Sequence, residues 1–373
     1  SLFTSIFITR MLLDRDVTNN KNLRFCTNTT QNLFTNFSFD FLGKKKIAYI
    51  FSSITMIICI GSLFVNGMNE GVDFAGGRTF QVKFDQHVNA SDISAKLSDV
   101  FDSNVEAKVF GDKDQLKITT KYKVDVDTHE ADQEVNQLMY ENLKDYYENP
   151  VTYEQFTQSS DDKLLGIVQA SKVGPSVAKD VKQNAIWSVI GSLVVVFVYL
   201  ALSFRKWQYS LGAVAAVAHD VIFVLGVYSL CYKFAPFNME LDQSFVAAIL
   251  TVIGYSLNDT VIVFDRVREY LKGDVKGSFK DVVNDSINTT LSRTFNTSAT
   301  VLVVLLIMLI FGGDSLRGFV FAMLLGIGVG TYSSLFIATP ILADTVEKTE
   351  SKRLAELQKQ REQEATEQAQ PEA

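Results

Sequence analysis

Only three cysteines, three histidines, five prolines and two tryptophans occur among the 373 residues of this chain. Cys26, Cys59 and Cys231 lie far apart. Two of them sit in apolar runs, where a thiol behaves as a small hydrophobe, so neither a disulfide framework nor a metal site is expected. His87, His129 and His219 show no metal-ligand spacing, and no Gly-rich phosphate loop of the Walker type occurs. That argues against nucleotide hydrolysis. No metal, no organic cofactor and no nucleic-acid partner is expected. The basic n-region and cleavage site of a signal peptide are missing too: the chain opens at a serine inside an apolar segment, as a piece of a longer chain would. What is abundant is apolar surface, at 47% of residues, beside 21% charged residues. The two must be segregated along the sequence, which is the pattern of a membrane protein with soluble parts.

A stretch of about 20 apolar residues crosses a bilayer as a helix. Six such stretches are predicted, at 46–66, 187–204, 209–232, 242–264, 294–312 and 317–343. Lys44, Lys45 and Lys46 before the first, Arg205 and Lys206 after the second, and Arg266 and Arg268 after the fourth mark the cytoplasmic loops. The segment 67–183 then lies outside, and the linker 14–45 and the tail 346–373 lie inside. The outer segment is acidic, with 21 Asp and Glu against 13 Lys and Arg between Glu70 and Lys182. Solubility is the ordinary reading of such a balance. Strand patterns at Thr79–Phe84, Val105–Phe110, Leu116–Tyr122 and Leu164–Val168 alternate with helical patterns at Ala90–Phe101 and Thr128–Tyr147. The expected fold is an α-helical integral membrane protein, a six-helix bundle (first span 46–66, the other five within 184–345) carrying one exterior α+β domain. Ser5-Ile6-Phe7-Ile8 is echoed by Ser334-Leu335-Phe336-Ile337, as two equivalent helix ends of a repeat would be. Beyond residue 346 the Glu-, Gln-, Lys- and Arg-rich tail holds little to bury and is expected to fray.

Charges inside apolar spans carry the sharpest signal, because each costs several kcal/mol unless paired or wetted. Asp220, Asp259 and Arg293 are such residues. Helical spacing puts Tyr255, Ser256 and Asp259, next to Asn258, along one side of the fourth span, and Arg293, Asn296, Thr297 and Thr300 on one face of the fifth. The fourth span runs inward and the fifth outward, so Asp259 and Arg293 can meet if the fifth helix begins near Ile287. A permanently charged arginine beside a carboxylate is a sensible proton relay. A structural ion pair that sets helix register is the other reading. His219 and Asp220, near the middle of the third span, fit either a second protonatable station or a satisfied structural contact. Gly326, Gly328 and Gly330 fit close helix packing.

Six motifs follow one another in a fixed order: Gly71-Val72-Asp73-Phe74-Ala75-Gly76-Gly77, Val173-Gly174-Pro175, Ala218-His219-Asp220, Gly254 to Thr260 running on to Asp265–Glu269, Arg293-Thr294, and Phe311-Gly312-Gly313. Over residues 40–345 the chain closely resembles the SecF family, and residues 1–13 resemble the end of the last SecD helix, as in a fused SecDF chain. The resemblance implies a motor of the resistance-nodulation-division superfamily that draws on the proton motive force to promote preprotein export. It assigns Asp259 as the proton-path aspartate and Arg293 as its partner, with H+ as coupling ion and Na+ left open. It also implies a SecD half, the SecYEG channel, YajC or YidC, unfolded preproteins and lipid as partners, and a bacterial cytoplasmic membrane location with the α+β domain in the periplasm. The region Asp125–Asp162 matches no motif of the family. Two other readings compete with this one. A small-molecule proton antiporter of the same superfamily wants larger exterior loops. An intramembrane aspartyl protease built on Asp220 and Asp259 wants a G-x-G-D context, where Asn258 stands instead, and an arginine beside the pair would ionise both acids.

Overall fold

A computed structural model describes residues 3–18, 38–103, 105–126, 128–158, 165–235, 237–272 and 278–349. Most of the expected linker, residue Leu164, Cys26 and nearly all of the charged tail lie outside the described residues. A π-helical segment, Phe3–Ile8, leads into α1 (Thr9–Thr18), and α2 (Lys45–Val65) is the first long apolar helix. A single turn, α3 (Val72–Ala75), precedes β1 (Gly77–Lys83), α4 (Ala90–Phe101), β2 (Val105–Phe110), β3 (Asp112–Thr120), α5 (His129–Leu143), α6 (Tyr153–Thr157) and β4 (Gly166–Val173). Five long helices follow: α7 (Pro175–Phe204), α8 (Trp207–Cys231), α9 (Gln243–Lys272), α10 (Phe279–Phe311) and α11 (Asp314–Ser333). The last continues through a π-helical segment, Ser334–Ala338, and on to Thr349. Among the described residues, six helices are thus long and apolar enough to cross a membrane.

The four strands pair antiparallel throughout in the order β2-β3-β1-β4. With a helix in each β-to-β crossover this is the split βαβ, ferredoxin-like arrangement. Side chains alternate across the pleat, so Phe80, Val82, Leu116 and Ile118 enter one core with Ile93 and Leu97 of α4 and Val135, Met139 and Leu143 of α5. The motif-free region 125–162 is therefore much of the sheet's cover: Met139, Leu143 and Phe156 are wholly buried. Sequence-local signals set the helix starts. Asn89 and Thr128 cap α4 and α5, and Thr152 with Gln155 closes a capping box on α6.

The glycine-rich and Val-Gly-Pro motifs meet at the joint between sheet and bundle. β4 ends at Val173, Gly174 is extended at the N-cap, and Pro175 is the first residue of α7, where its missing N–H costs nothing. Gly76, at φ 72°, turns the chain into β1 while its Cα faces Val173 and Pro175 across the joint. A side chain there would be strained by that φ.

Within the bundle α8 is central, packing on α2, α7, α9 and α11, whereas little of α7 is covered by this chain. At Gly326 a Cβ would fall 2.3 Å from Val252 Cγ2, so α11 and α9 approach as closely there as backbones permit. The fifth long helix starts at Phe279, capped by a box of Ser278 and Asp281, far ahead of the apolar run beginning at 294. Ser286 and Thr290 are consequently buried inside protein, each hydroxyl donating to a carbonyl four residues back, at 2.7 and 2.8 Å.

Candidate functional site

Two polar clusters sit inside the bundle, one on each side of α9. Residues 255, 256, 259 and 260 straddle that helix, and the 100° step between successive residues sends them to different neighbours. Ser256 faces α8 and α11; Tyr255 and Asp259 face α10.

The first cluster centres on Asp220, near the middle of α8 and wholly buried. Its Oδ2 accepts from the hydroxyls of Ser256 and Ser333, each at 2.7 Å. Its Oδ1 lies 3.2 Å from His219 Nδ1. His219 in turn borders a lateral crevice of about 420 Å³ with Phe51, Thr55, Phe223 and Tyr332, and Gly328 also opens onto it. Ser334 extends the cluster, sharing a hydrogen bond of 2.8 Å with Thr260 and donating to the Ser256 carbonyl at 3.2 Å. Of the two readings of His219 and Asp220, the contact exists, and both serines complete it.

The second cluster centres on Asp259, 1% exposed and about 24 Å along α9 from Gln243 at 1.5 Å per residue. Ser298 of α10 donates to its Oδ2 at 3.2 Å, and Thr331 of α11 donates to Ser298 at 2.8 Å. Among the described residues Asp259 Oδ1 has no hydrogen-bond partner. Such an orphan acceptor is costly in a dry setting and leaves the carboxyl open to a proton.

The expected contact between Asp259 and Arg293 is not formed. Arg293 is exposed and forms no direct salt bridge with it, although its charge is near enough to act on the Asp259 carboxylate. Instead it lines a cavity of about 310 Å³ with Ile262, Asp265, Arg266, Glu269, Thr289 and Thr290. The reason is rotational. Helix α10 carries two polar stripes. Arg293, Asn296, Thr297 and Thr300 do share a face, but that face is exposed, while Ser286, Thr290, Thr294 and Ser298, repeating every four residues, are buried toward α9 and α11. Tyr255 reaches the same helix by donating to the Thr297 carbonyl at 2.9 Å. Asn258 is exposed as well. Sequence reasoning missed Ser298, Thr331, Ser333 and Ser334. The four-residue repeat of Ser and Thr on α10 was the available signal for the first of them.

The residues of the Gly71–Gly77 and Val173–Pro175 motifs stand at the joint. The Gly71 N–H donates to the Leu241 carbonyl at 3.0 Å, and Asp73 Oδ2 accepts from the Gln243 N–H at 3.1 Å, capping α9. Phe74 packs on the core between α8, α9 and α11. Gly77 pairs with Val173, beside Gly174 and Pro175. Asp220 and Asp259 share no hydrogen bond and no partner, so they do not form the dyad that an aspartyl protease needs.

Six apolar helices, a ferredoxin-like unit on the loop after the first, and carboxylates buried among helices define a polytopic membrane protein with an ionisable core. Family comparison narrows the class. The family described as "Protein export membrane protein SecD/SecF, C-terminal" matches residues 152–348, and the "SecD/SecF GG Motif" family matches residues 61–88. The chain belongs to the SecD/SecF family. It is 40% identical to the protein translocase subunit SecF of Rhodothermus marinus, over 86% of this chain and 97% of that one. The SecF subunit of Haemophilus influenzae is 34% identical, over 82% and 85%. Among solved structures, SecDF of Thermus thermophilus, described as a translocon-associated membrane protein, superposes with a TM-score of 0.72 at 26% identity over 92% of this chain. The match covers 43% of that longer protein.

Proposed function

We propose that this chain is the SecF part of a SecDF accessory to the Sec translocase of the bacterial cytoplasmic membrane, using the proton motive force to promote preprotein export. The observation that carries the reading is Asp259: a carboxyl buried within a membrane span, with one oxygen held by Ser298 and the other unpartnered. A charge at that depth costs about 2.5–3.5 kcal/mol on insertion scales, which structure alone gives no reason to retain. Arg293 is its partner in the cycle. It lies five residues before Ser298 on α10 and lines the 310 Å³ cavity, where its permanent positive charge acts on the Asp259 carboxylate without a direct ion pair. His219 and Asp220 form a secondary polar site.

The lysines and arginines at 44–46, 205–206, 266 and 268 support a periplasmic α+β unit and cytoplasmic ends. The SecD half covers the polar outer face of Asn258, Arg293, Asn296, Thr297 and Thr300, which would be costly against lipid. SecYEG, YajC or YidC and unfolded preproteins complete the assembly. No cofactor takes part beyond the coupling ion. The test is gradient-driven export in membrane vesicles holding the complete complex, wild type against Asp259→Asn. The variant is expected to lose the gradient-dependent part of export at normal protein level. Undiminished stimulation would sink the relay. Exchanging Na+ for K+ in the same vesicles is expected to leave export unchanged, and a loss on exchange would assign sodium as the coupling ion.

A further inference from the structure

Helix α9 carries Asp259, Ser256 and Thr260, yet it has no covalent link to the α+β unit, which is joined to the bundle through α2 and α7. A set of polar contacts makes that link instead, all at residues 238–243 just before and at the start of α9. Leu241 donates to the Asn69 carbonyl at 2.8 Å and accepts from the Gly71 N–H at 3.0 Å, a one-residue parallel bridge. Asp73 caps the Gln243 N–H. From the sheet, Lys117 Nζ of β3 lies 2.9 Å from Glu240 Oε2. Lys108 Nζ of β2, paired with Glu106 of its own strand at 2.6 Å, adds a longer contact of 3.8 Å to Glu240 Oε1 and one of 3.3 Å to Asn238 Oδ1.

This is not an ordinary surface pair. The Glu240 side chain is 8% exposed and that of Lys117 19%, so the charges are largely withdrawn from water and weakly screened. The pair lines a small cavity of about 50 Å³ shared with Tyr228, Asp242, Phe245 and Gly318, where the unit meets α8, α9 and α11. Asp242 is itself pushed above the usual carboxylate range by burial. Removing one member of a desolvated pair strands the other, which gives the contact mechanical stiffness. Beyond the joint α9 runs 30 residues without a proline, a rod able to carry a displacement to Asp259.

We propose that Glu240 is a positioning residue. Gripped by Lys117 and Lys108, it latches the β2–β3 edge of the α+β unit to the start of α9, so that displacement of the unit and the setting of Asp259 against α10 move together. The latch rests on the relay reading of Asp259, and the experiment separates the two. Vesicles holding the complete complex are energised with a proton gradient, and preprotein export and proton flux are recorded together for Glu240→Gln, Lys117→Gln, the double variant, the charge swap Lys117→Glu with Glu240→Lys, and Asp259→Asn. Glu240→Gln is expected to lower export about five- to tenfold, the lower part of the range for coupling between sites, with proton flux retained. The double variant is expected to lose no more than Glu240→Gln alone. The swap is expected to recover at least half of the export, which also answers for a variant that merely folds poorly. Wild-type export by Glu240→Gln, additive losses in the double variant, or flux falling in step with export would each overturn the latch while leaving the relay intact. Wild-type export by Asp259→Asn would overturn the relay, and the latch with it.

Discussion

Asp220 and Asp259 are equally hidden and differently satisfied. Asp220 has donors on both oxygens, Asp259 on one. Hydrogen bonds between membrane helices are worth about 0.6 kcal/mol on average and up to 1–2 kcal/mol, so no single one holds the bundle together. Ser333→Ala is expected to lower stability in detergent by about that amount, measured by thermal unfolding, and to leave gradient-driven export near wild type. Abolished export at unchanged stability would make the Asp220 cluster part of the relay. In the α+β unit, Asp85 works against some desolvation but accepts from the Asn149 and Glu148 amides, both at 2.9 Å, and from the Asn149 side chain at 3.2 Å. Those bonds hold its carboxyl below the usual range. A depressed pKa means stabilisation that is fully present above the unfolded-state pKa, near 4, and is lost as pH falls through the folded value. Followed by circular dichroism, Asp85→Asn is therefore expected to be less stable than wild type at neutral pH, to lose stability less steeply below about pH 4, and to unfold in acid no later than wild type. An unaltered slope would show that Asp85 contributes nothing. At this scale the buried acids were legible in sequence, since charge in an apolar run is conspicuous. Their partners were not, because hydroxyl residues are common in membrane helices and each satisfies itself locally when no partner is near.

Helix α10 shows why an element can be recognised and still be misplaced. Its apolar half identifies it, but residues 279–293 are polar enough to read as loop, and only burial of Ser286 and Thr290 against neighbouring helices makes them helical interior. Periodicity places residues on faces, and a helix with two polar faces offers no local rule for choosing the inner one. The strands and α4 were legible because alternation and capping are local signals, whereas single turns such as α3 and α6 are too short for any period to register. Helix spacing yields its own test at Gly326. Gly326→Ala sets a methyl against the stiff Val252 side chain and is expected to cost about 1–3 kcal/mol in detergent unfolding. Adding Val252→Ala is expected to restore most of it. Full additivity would show that the two helices relax apart.

Across the whole molecule, polarity is distributed against expectation for a lone membrane protein. Asn258, Arg293, Asn296, Thr297 and Thr300 are exposed on α9 and α10, while α7 shows apolar residues nearly all round. A bundle with one wet side wants company on that side. With the SecD half supplied as a separate chain, Asn296→Leu with Thr300→Leu is expected to weaken its co-purification with this chain several-fold without lowering the level of either in the membrane, and unaltered co-purification would move the interface elsewhere. The two π-helical segments have a consequence of a different kind. Ser-Ile-Phe-Ile at 5–8 and Ser-Leu-Phe-Ile at 334–337 both fall in stretches wound one residue wider than an α-helix. Each surplus residue is slack in the thread. Removing a single codon elsewhere in the last span would rotate everything beyond it by about 100° and turn its buried face to lipid. Removing one at 335–338 would simply take up the slack, so survivors of a deletion scan through this helix are expected to gather there.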